Sequence, residues 1–315
     1  MTGARTPVVV AFAALYVFWG STYLGSKFAM ESFPPALLSA VRFSVAGLVL
    51  GAILLLTGKA RPADFAGARW WRNGALAGAL LFAAANVLVS SGVQRIPSGV
   101  AALVVSTTSV WIVLLDRVIT RAGAPGWTIV LGLACGLGGV AVLGWDGLSG
   151  AAAHGGTALD PVGVLLAMAS TVAWALGTMV AKHSERSPSL WATSVMQMLG
   201  GGAAAFVVAA ALERDRWPAW ADVTPGSLWA IAYLVVFGSF VGFTAYVYLL
   251  GRVSAPAVAT YAYVNPLVAL LLGAALAGER VPARTWVAAP LILGSVALMQ
   301  FVRPPQPGEP PIEEE

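Results

Sequence analysis

Charge is the first scarcity. Asp, Glu, Lys and Arg make up only 10% of the 315 residues, whereas hydrophobic residues make up 58% and mean hydropathy is +0.81. Soluble domains carry about 25% charged residues, so a water-soluble fold is excluded. Cysteine is nearly missing. Cys135 stands alone inside an apolar run, which rules out an intrachain disulfide and a paired thiol site. Histidine is limited to His154 and His183, both in predicted loops, and neither an HExxH motif nor a Cys/His cluster occurs. An intramembrane enzyme would therefore lack its metal, base and nucleophile, and no catalytic residue and no metal site are expected. There is no GxxxxGK[ST] phosphate loop, so ATP hydrolysis and a bound cofactor are not expected either. Carboxylates are absent from the middles of the apolar runs, with Asp116 and Glu279 near predicted helix ends. Proton-coupled carriers commonly use a membrane-embedded carboxylate, whose pKa burial shifts into a working range, so a carboxylate relay is not expected here.

What the chain does contain is a series of continuous apolar runs. Each is about 20 residues long, the length of a membrane-spanning helix, and none shows the alternation over about 10 residues that marks a barrel strand. Breaks at charges and Gly/Pro clusters predict helices over 8–28, 36–57, 73–92, 98–116 and 125–145, then 160–182, 189–211, 227–250, 256–277 and 283–302. Arg5 ahead of the run from Val8 to Leu24 resembles a secretory signal, but the run is too long and continues into further spans, so it reads as a retained first helix. The net charge of +4 sits mainly in short loops. Lys59, Arg61, Arg69 and Arg72 share one, Arg117 and Arg121 another, and the loop from Trp145 to Pro161 has no Lys or Arg. That bias puts both termini in the cytoplasm, although Arg214 and Arg216 fall on the outer side. Basic residues so placed set orientation, so membrane lipid is the expected partner and nucleic acid is not. From Pro304 onward the sequence PPQPGEPPIEEE predicts a disordered tail.

The two halves repeat. WGSTYLGSK at 19–27 matches WALGTMVAK at 174–182, pairing Trp19 with Trp174 and Lys27 with Lys182 at one offset (174 − 19 = 182 − 27 = 155). Arg42 falls opposite Gln197, and Gly47 opposite Gly202, at the same offset. QRIPSGVAA from Gln94 aligns with GRVSAPAVA from Gly251, and Pro125 with Pro282, at an offset of 157. Five helices per half is an odd number, so the second half enters the membrane from the opposite side. The expected fold is all-α integral membrane, ten transmembrane helices as two inverted five-helix repeats, with residues 1–150 as the first repeat, 151–303 as the second and 304–315 as the tail.

FWGSTYLGSKFAMESFPP with ALLSAVRF close behind, VNPLVALLLGAALAGER from Val264, and the duplicated layout resemble the EamA-type transporters of the drug/metabolite transporter superfamily. The likeness runs from Val8 to Val302. It implies a carrier in the cytoplasmic (inner) membrane that moves amino acids, other metabolites or drugs, often outward as an efflux permease. One departure is visible: Ser109 stands where Pro266 falls in the second half (266 − 109 = 157), although proline is common there in both halves of the family.

Polar and aromatic residues inside the apolar helices are the candidates for a substrate pocket. They are Trp19, Thr22 and Tyr23 in the first helix, Asn86 and Ser90 in the third, and Ser106, Thr107 and Trp111 in the fourth. Trp174 and Thr178 follow in the sixth, Tyr246 in the eighth, and Tyr261, Tyr263 and Asn265 in the ninth. The plain structural alternative is that Ser, Thr and Asn join packed helices while Trp and Tyr sit at the lipid interface. Lys27, Arg42 and Lys182 are candidates for a gate or vestibule, with snorkelling to the interface as the alternative. Gly238-x-x-x-Gly242 has the spacing of close helix packing. The expected function is secondary transport of a small-molecule substrate by alternating access. The competing reading is a non-transporting membrane scaffold or assembly partner, and the oligomeric state is open.

Overall fold

Apolar runs separated by Pro, Gly and charge fold as the pattern dictates. In the computed structural model, which describes residues 5–121, 126–148, 159–250, 252–253, 258 and 260–301, all regular structure is helical. Pro125, His154 and the tail from Pro304 lie outside the described residues. The first five helices are α1 (Arg5–Ala29), α2 (Pro35–Leu56), α3 (Ala68–Val93), α4 (Ser98–Thr120) and α5 (Trp127–Leu148). The next five are α6 (Pro161–His183), α7 (Leu190–Leu212), α8 (Pro225–Tyr233, continuing through Leu234–Val241 and Gly242–Leu250), α9 (Tyr261–Ala277) and α10 (Thr285–Phe301). Seven of them, α1 to α4 and α6 to α8, are long and apolar enough to cross a membrane, and α5, α9 and α10 contain shorter apolar stretches. Large apolar side chains such as Leu48, Leu165 and Leu271 are exposed on the outside, as a lipid-facing surface requires.

Each expected range holds a helix, with two differences that have physical causes. α3 starts at Ala68 rather than 73. Arg69 and Arg72 depress local hydropathy yet ride on the exposed side of the first turns, while Trp71 Nε1 donates to Phe65 O at 2.8 Å and pins the start. α4 breaks at Ser106–Thr107, where the two hydroxyls donate to Leu103 O (2.7 Å) and Val104 O (2.8 Å) and tighten the backbone. α9 is described from Tyr261, and residues 256, 257 and 259 of its expected range lie outside the described residues.

The helix starts are chemically explicit. Pro35, Pro161 and Pro225 open α2, α6 and α8 with a φ that suits the first turn and no N–H to satisfy. Asp160, Ser189 and Thr224 cap α6, α7 and α8 from the preceding position. α2 has no such local cap. Buried Glu213, just past α7, accepts instead from Ala36 N (3.0 Å) and Leu37 N (3.1 Å). Glu279, just past α9, does the same for α4 by accepting from Ser98 N at 2.9 Å. Neither carboxylate is adjacent in sequence to the helix it caps.

Packing is carried by small residues and is reciprocal. α2 lies along α7 and α5 along α10, while α1 meets α8 and α9 as α6 meets α3 and α4. At the α2–α7 contact, a Cβ on Gly47 would lie 2.9 Å from Leu199, and a Cβ on Gly202 would lie 2.8 Å from Ser44 N. The two contacts are mates, since 202 − 47 and 199 − 44 both equal 155. α3 approaches α7 so closely that a Cβ on Gly78 would overlap the Gln197 carbonyl.

Candidate functional site

The interior site begins with a backbone irregularity. Both α3 and α8 contain a π-helical stretch, Ala79–Ala84 and Leu234–Val241, and their starts differ by the same offset (234 − 79 = 155). A π turn shifts the i→i−4 ladder and releases carbonyls to other donors. In α3 the Asn86 amide donates to Leu81 O at 2.8 Å. In α8 the Ser239 hydroxyl donates to Leu234 O at 3.2 Å, and Gly238 O accepts from Trp19 Nε1 at 3.1 Å.

Trp19 is the hub. Its ring stacks on Tyr246 (5.4 Å, 28°) and meets Tyr261 edge-on (5.0 Å, 88°), and the two tyrosines contact each other at 6.1 Å. Aromatic side chains from α1, α8 and α9 thus form one box. A Cβ on Gly242 would overlap Trp19 Nε1 and lie 2.5 Å from Cδ1, and one on Gly238 would lie 3.0 Å from Thr22 Cγ2 and 2.9 Å from Arg42 Nη2. The Gly238-x-x-x-Gly242 pair therefore seats side chains from α1 and α2, rather than bringing two helix backbones together. Thr22 Oγ1 donates to Trp19 O at 2.6 Å, so Trp19, Thr22 and Arg42 converge on the same stretch of α8.

The second half does not copy this arrangement. Trp174 is 36% exposed and meets Phe82 edge-on at 6.2 Å, Phe82 stacks on Phe43 at 4.5 Å, and the Arg42 guanidinium lies over the Phe43 ring at 4.9 Å. Thr178 bonds to Trp174 O at 2.9 Å within its own helix. The Asn265 amide, oriented to satisfy its neighbours, donates to Tyr261 O (3.2 Å) and Tyr16 O (3.3 Å), joining α9 to α1. Ser90, Ser106 and Thr107 are buried, and Thr107 also faces Met168 Sδ at 3.9 Å. Tyr23 packs against the cluster around Val100 and Val104. Tyr263 is half-buried and has no ring contact among the described residues, and Trp111 Nε1 is buried without a hydrogen-bond partner. Of the expected pocket residues, Trp19, Thr22, Tyr246 and Tyr261 come together with Arg42. The others are spread along α3, α4, α6 and α9.

Ion pairs close the two ends of the bundle. Lys27 Nζ, at the end of α1, donates to Glu279 Oε1 at 2.6 Å, and Glu279 Oε2 also accepts from Ser98 Oγ at 2.9 Å. Beside it lies a cavity of about 810 Å³ lined by Lys27, Phe28, Met30, Glu31, Val93, Gln94, Arg216, Leu276 and Ala277. None of the box aromatics lines it. At the opposite end Lys182 Nζ, on α6, lies 2.5 Å from Asp116 Oδ1 on α4, with His183 Nε2 3.6 Å from the same oxygen. Sequence reasoning placed the two lysines and missed the anchoring roles of Glu213 and Glu279, for which no local signal exists. In the loop before α6, the hydrogen bond from Arg95 Nη1 to Asp160 Oδ2 (2.9 Å) holds the Asp160 carboxyl below its ordinary value. No group of His, Cys, Asp or Glu able to hold a metal ion occurs among the described residues.

A bundle of long apolar helices with a polar-aromatic interior, and with its charges at the ends apart from Arg42, is a multi-pass α-helical membrane protein. The model of the EamA-like transporter family matches it twice, over residues 6–145 and 161–301, and the chain belongs to that family. It is 35% identical to a protein of Escherichia coli (strain K12) described as the uncharacterized inner membrane transporter YedA, over 97% of this chain and 95% of that one. It is 26% identical to the uncharacterized transporter YvbV of Bacillus subtilis (strain 168), over 94% and 91%. One solved structure, described as the crystal structure of a protein, shares the fold with a TM-score of 0.61 at 20% identity, covering 93% of this chain and 97% of that chain.

Proposed function

We propose that the protein is a secondary transporter of small organic solutes, built as two inverted five-helix repeats over residues 1–150 and 151–303, working by alternating access. All ten helices then span the inner membrane with both termini in the cytoplasm, which puts Lys27 at the outer end and Lys182 at the inner end. The paired Gly47–Leu199 and Gly202–Ser44 contacts and the matched π turns support a two-fold relation between the halves.

One observation carries the reading. Lys27 and Lys182 are repeat mates on the first helix of each half, and each bonds to a carboxylate near the C-terminal end of the fourth helix of the other half (Asp116 within α4, Glu279 just past α9), at opposite ends of the bundle. Breaking one pair while the other holds opens a central site to one side only. Both pairs are formed at once in this structure, so transport requires each to part in turn. The central site comprises the Trp19, Tyr246 and Tyr261 box with Thr22 and Arg42, and export is the direction that the family likeness favours.

The test uses a Cys135→Ser background carrying Thr22→Cys, in oriented proteoliposomes with a membrane-impermeant thiol reagent. Glu279→Gln is expected to raise labelling from the Lys27 side and Asp116→Asn to lower it. Equal labelling in both variants, or no solute flux from a broad metabolite panel together with stable capture of a partner protein, would overturn the transporter in favour of a scaffold.

A further inference from the structure

Among the described residues, Arg42 is the charged residue farthest from a helix end, about 10 Å inside α2 at seven residues past Pro35 (42 − 35). Its surroundings are specific. The Phe43 ring covers the guanidinium carbon at 4.9 Å, and Nη2 occupies the space left by Gly238 beside Thr22. Nε is buried with no hydrogen-bond partner, and no described carboxylate forms an ion pair with this side chain. The acids at the nearer end are engaged elsewhere, Glu213 on the first turn of α2 and Glu279 on Lys27 and Ser98.

A guanidinium at that depth is costly to leave uncompensated, and cation–π contact covers its face while leaving the buried Nε–H without an acceptor. Thr22 does not supply the acceptor: its oxygen keeps free lone pairs after donating to Trp19 O, but it forms no hydrogen bond with Arg42, and its Cγ2 methyl is what lies beside the Gly238 position. Lipid phosphates lie at the ends of the helices, beyond reach of this point. A planar anion with two acceptors is the shape that a guanidinium fork binds with paired hydrogen bonds. The Trp19 indole and its tyrosines, held against the same stretch of α8, supply an apolar surface next to that charge.

We infer that Arg42 is the anion-binding residue of the central site, and that the transported solutes carry a carboxylate which pairs with its guanidinium while their apolar body lies against the aromatic box. This rests on the transporter reading and narrows it to a substrate class. The bound carboxylate completes a neutral pair that the protein lacks on its own, and this accounts for a half-buried cation, its Nε enclosed, without a protein counter-ion.

The experiment measures thermal stabilisation of the purified full chain by matched solutes that differ only at the acid: phenylacetate against phenylacetamide, indole-3-acetate against indole-3-acetamide, and phenylalanine against phenylalaninamide. At least one carboxylate is expected to bind with tenfold or greater preference over its amide. Arg42→Gln is expected to abolish that preference and Arg42→Lys, which keeps the charge and loses the fork, to retain part of it. Equal binding within every pair, no binding by any carboxylate, or an unchanged preference in Arg42→Gln would overturn the assignment. If Arg42→Gln does not fold, the wild-type pairs and Arg42→Lys decide it, and full retention of the preference in Arg42→Lys would count against the fork. Vesicles that move the amides and ignore the carboxylates sink the anion site and leave transport standing. Carboxylate-selective binding without flux of any solute does the reverse.

Discussion

Replacing Gly242 with alanine tests the aromatic box directly. The added Cβ would overlap Trp19 Nε1 and stand 2.5 Å from Cδ1, and the indole is held on its other sides by Tyr246 and Tyr261. Trp19 must then move. Its hydrogen bond to Gly238 O contributes about 1 kcal/mol net, and its two ring contacts contribute about 0.5–1.5 kcal/mol each. Gross loss is therefore about 2–4 kcal/mol, offset by at most about 1 kcal/mol from the better helix propensity of alanine. Gly294 in α10 is the control, because nothing lies within 4 Å of its hypothetical Cβ. Gly294→Ala should be neutral or slightly stabilising. The assay is thermal unfolding in detergent with near-ultraviolet circular dichroism as a reporter of indole packing. A Gly242→Ala protein that melts with Gly294→Ala and keeps the wild-type aromatic spectrum would refute the argument, because it would mean that Trp19 does not occupy the Gly242 seat.

Further outcomes follow from the same contacts. Gly78→Ala places a Cβ on the Gln197 carbonyl, backbone against side chain with no flexible atom to yield, so α3 and α7 must separate; overpacking of this kind costs about 1–3 kcal/mol or more, read as reduced folded yield and melting temperature. Glu213→Gln should destabilise by about 1.5–3 kcal/mol by exchanging charge-assisted bonds at the start of α2 for neutral ones, checked by chemical denaturation; an unchanged midpoint would show that the cap is unimportant. Asp160 is partly exposed and its partner Arg95 is half exposed, so Asp160→Asn should lower the melting temperature only slightly. Because Arg95 depresses the folded-state pKa of Asp160 below 3.8, the contribution is complete above about pH 5 and is lost as pH falls through the folded value. A difference between wild type and Asp160→Asn that grew on acidification would contradict this sign.

Much of the fold was legible because an apolar run bounded by Pro, Gly and charge has little choice but to be a helix in lipid. Where hydropathy misled, as at the start of α3, Arg69 and Arg72 were weighed as loop residues although a helix end carries them comfortably at an exposed edge. The π turns had no signature, since a single inserted residue leaves composition and periodicity almost unchanged. Long-range caps were equally hidden: Glu213 and the backbone it holds at Leu37 are 176 residues apart, and nothing near either residue announces the other. Residue type nominated Trp19, Tyr246 and Tyr261 one by one for a substrate pocket, and only the fold shows that their rings meet in one box. Repeat pairing predicted that Trp174 would mirror Trp19. It does not, because α3 carries Ala85 where α8 carries Gly242 at the corresponding position (242 − 85 = 157), and no comparable seat for an indole exists there.

The two lysines are mates in sequence, their carboxylate partners are not (279 − 116 = 163), and the two ion pairs are unequal in setting. Glu279 is almost fully enclosed, with its side chain 4% exposed, and holds Lys27 together with both the amide and the hydroxyl of Ser98. Asp116 is 16% exposed, and Lys182, its partner, is 51% exposed. If these are the gates, a near-symmetric frame carries asymmetric latches. The Lys182 latch meets water and salt, so ionic strength weakens it more than its mate. Raising salt would then tilt the resting population toward opening at the Lys182 end, giving the carrier a built-in polarity that its duplicated architecture alone does not provide.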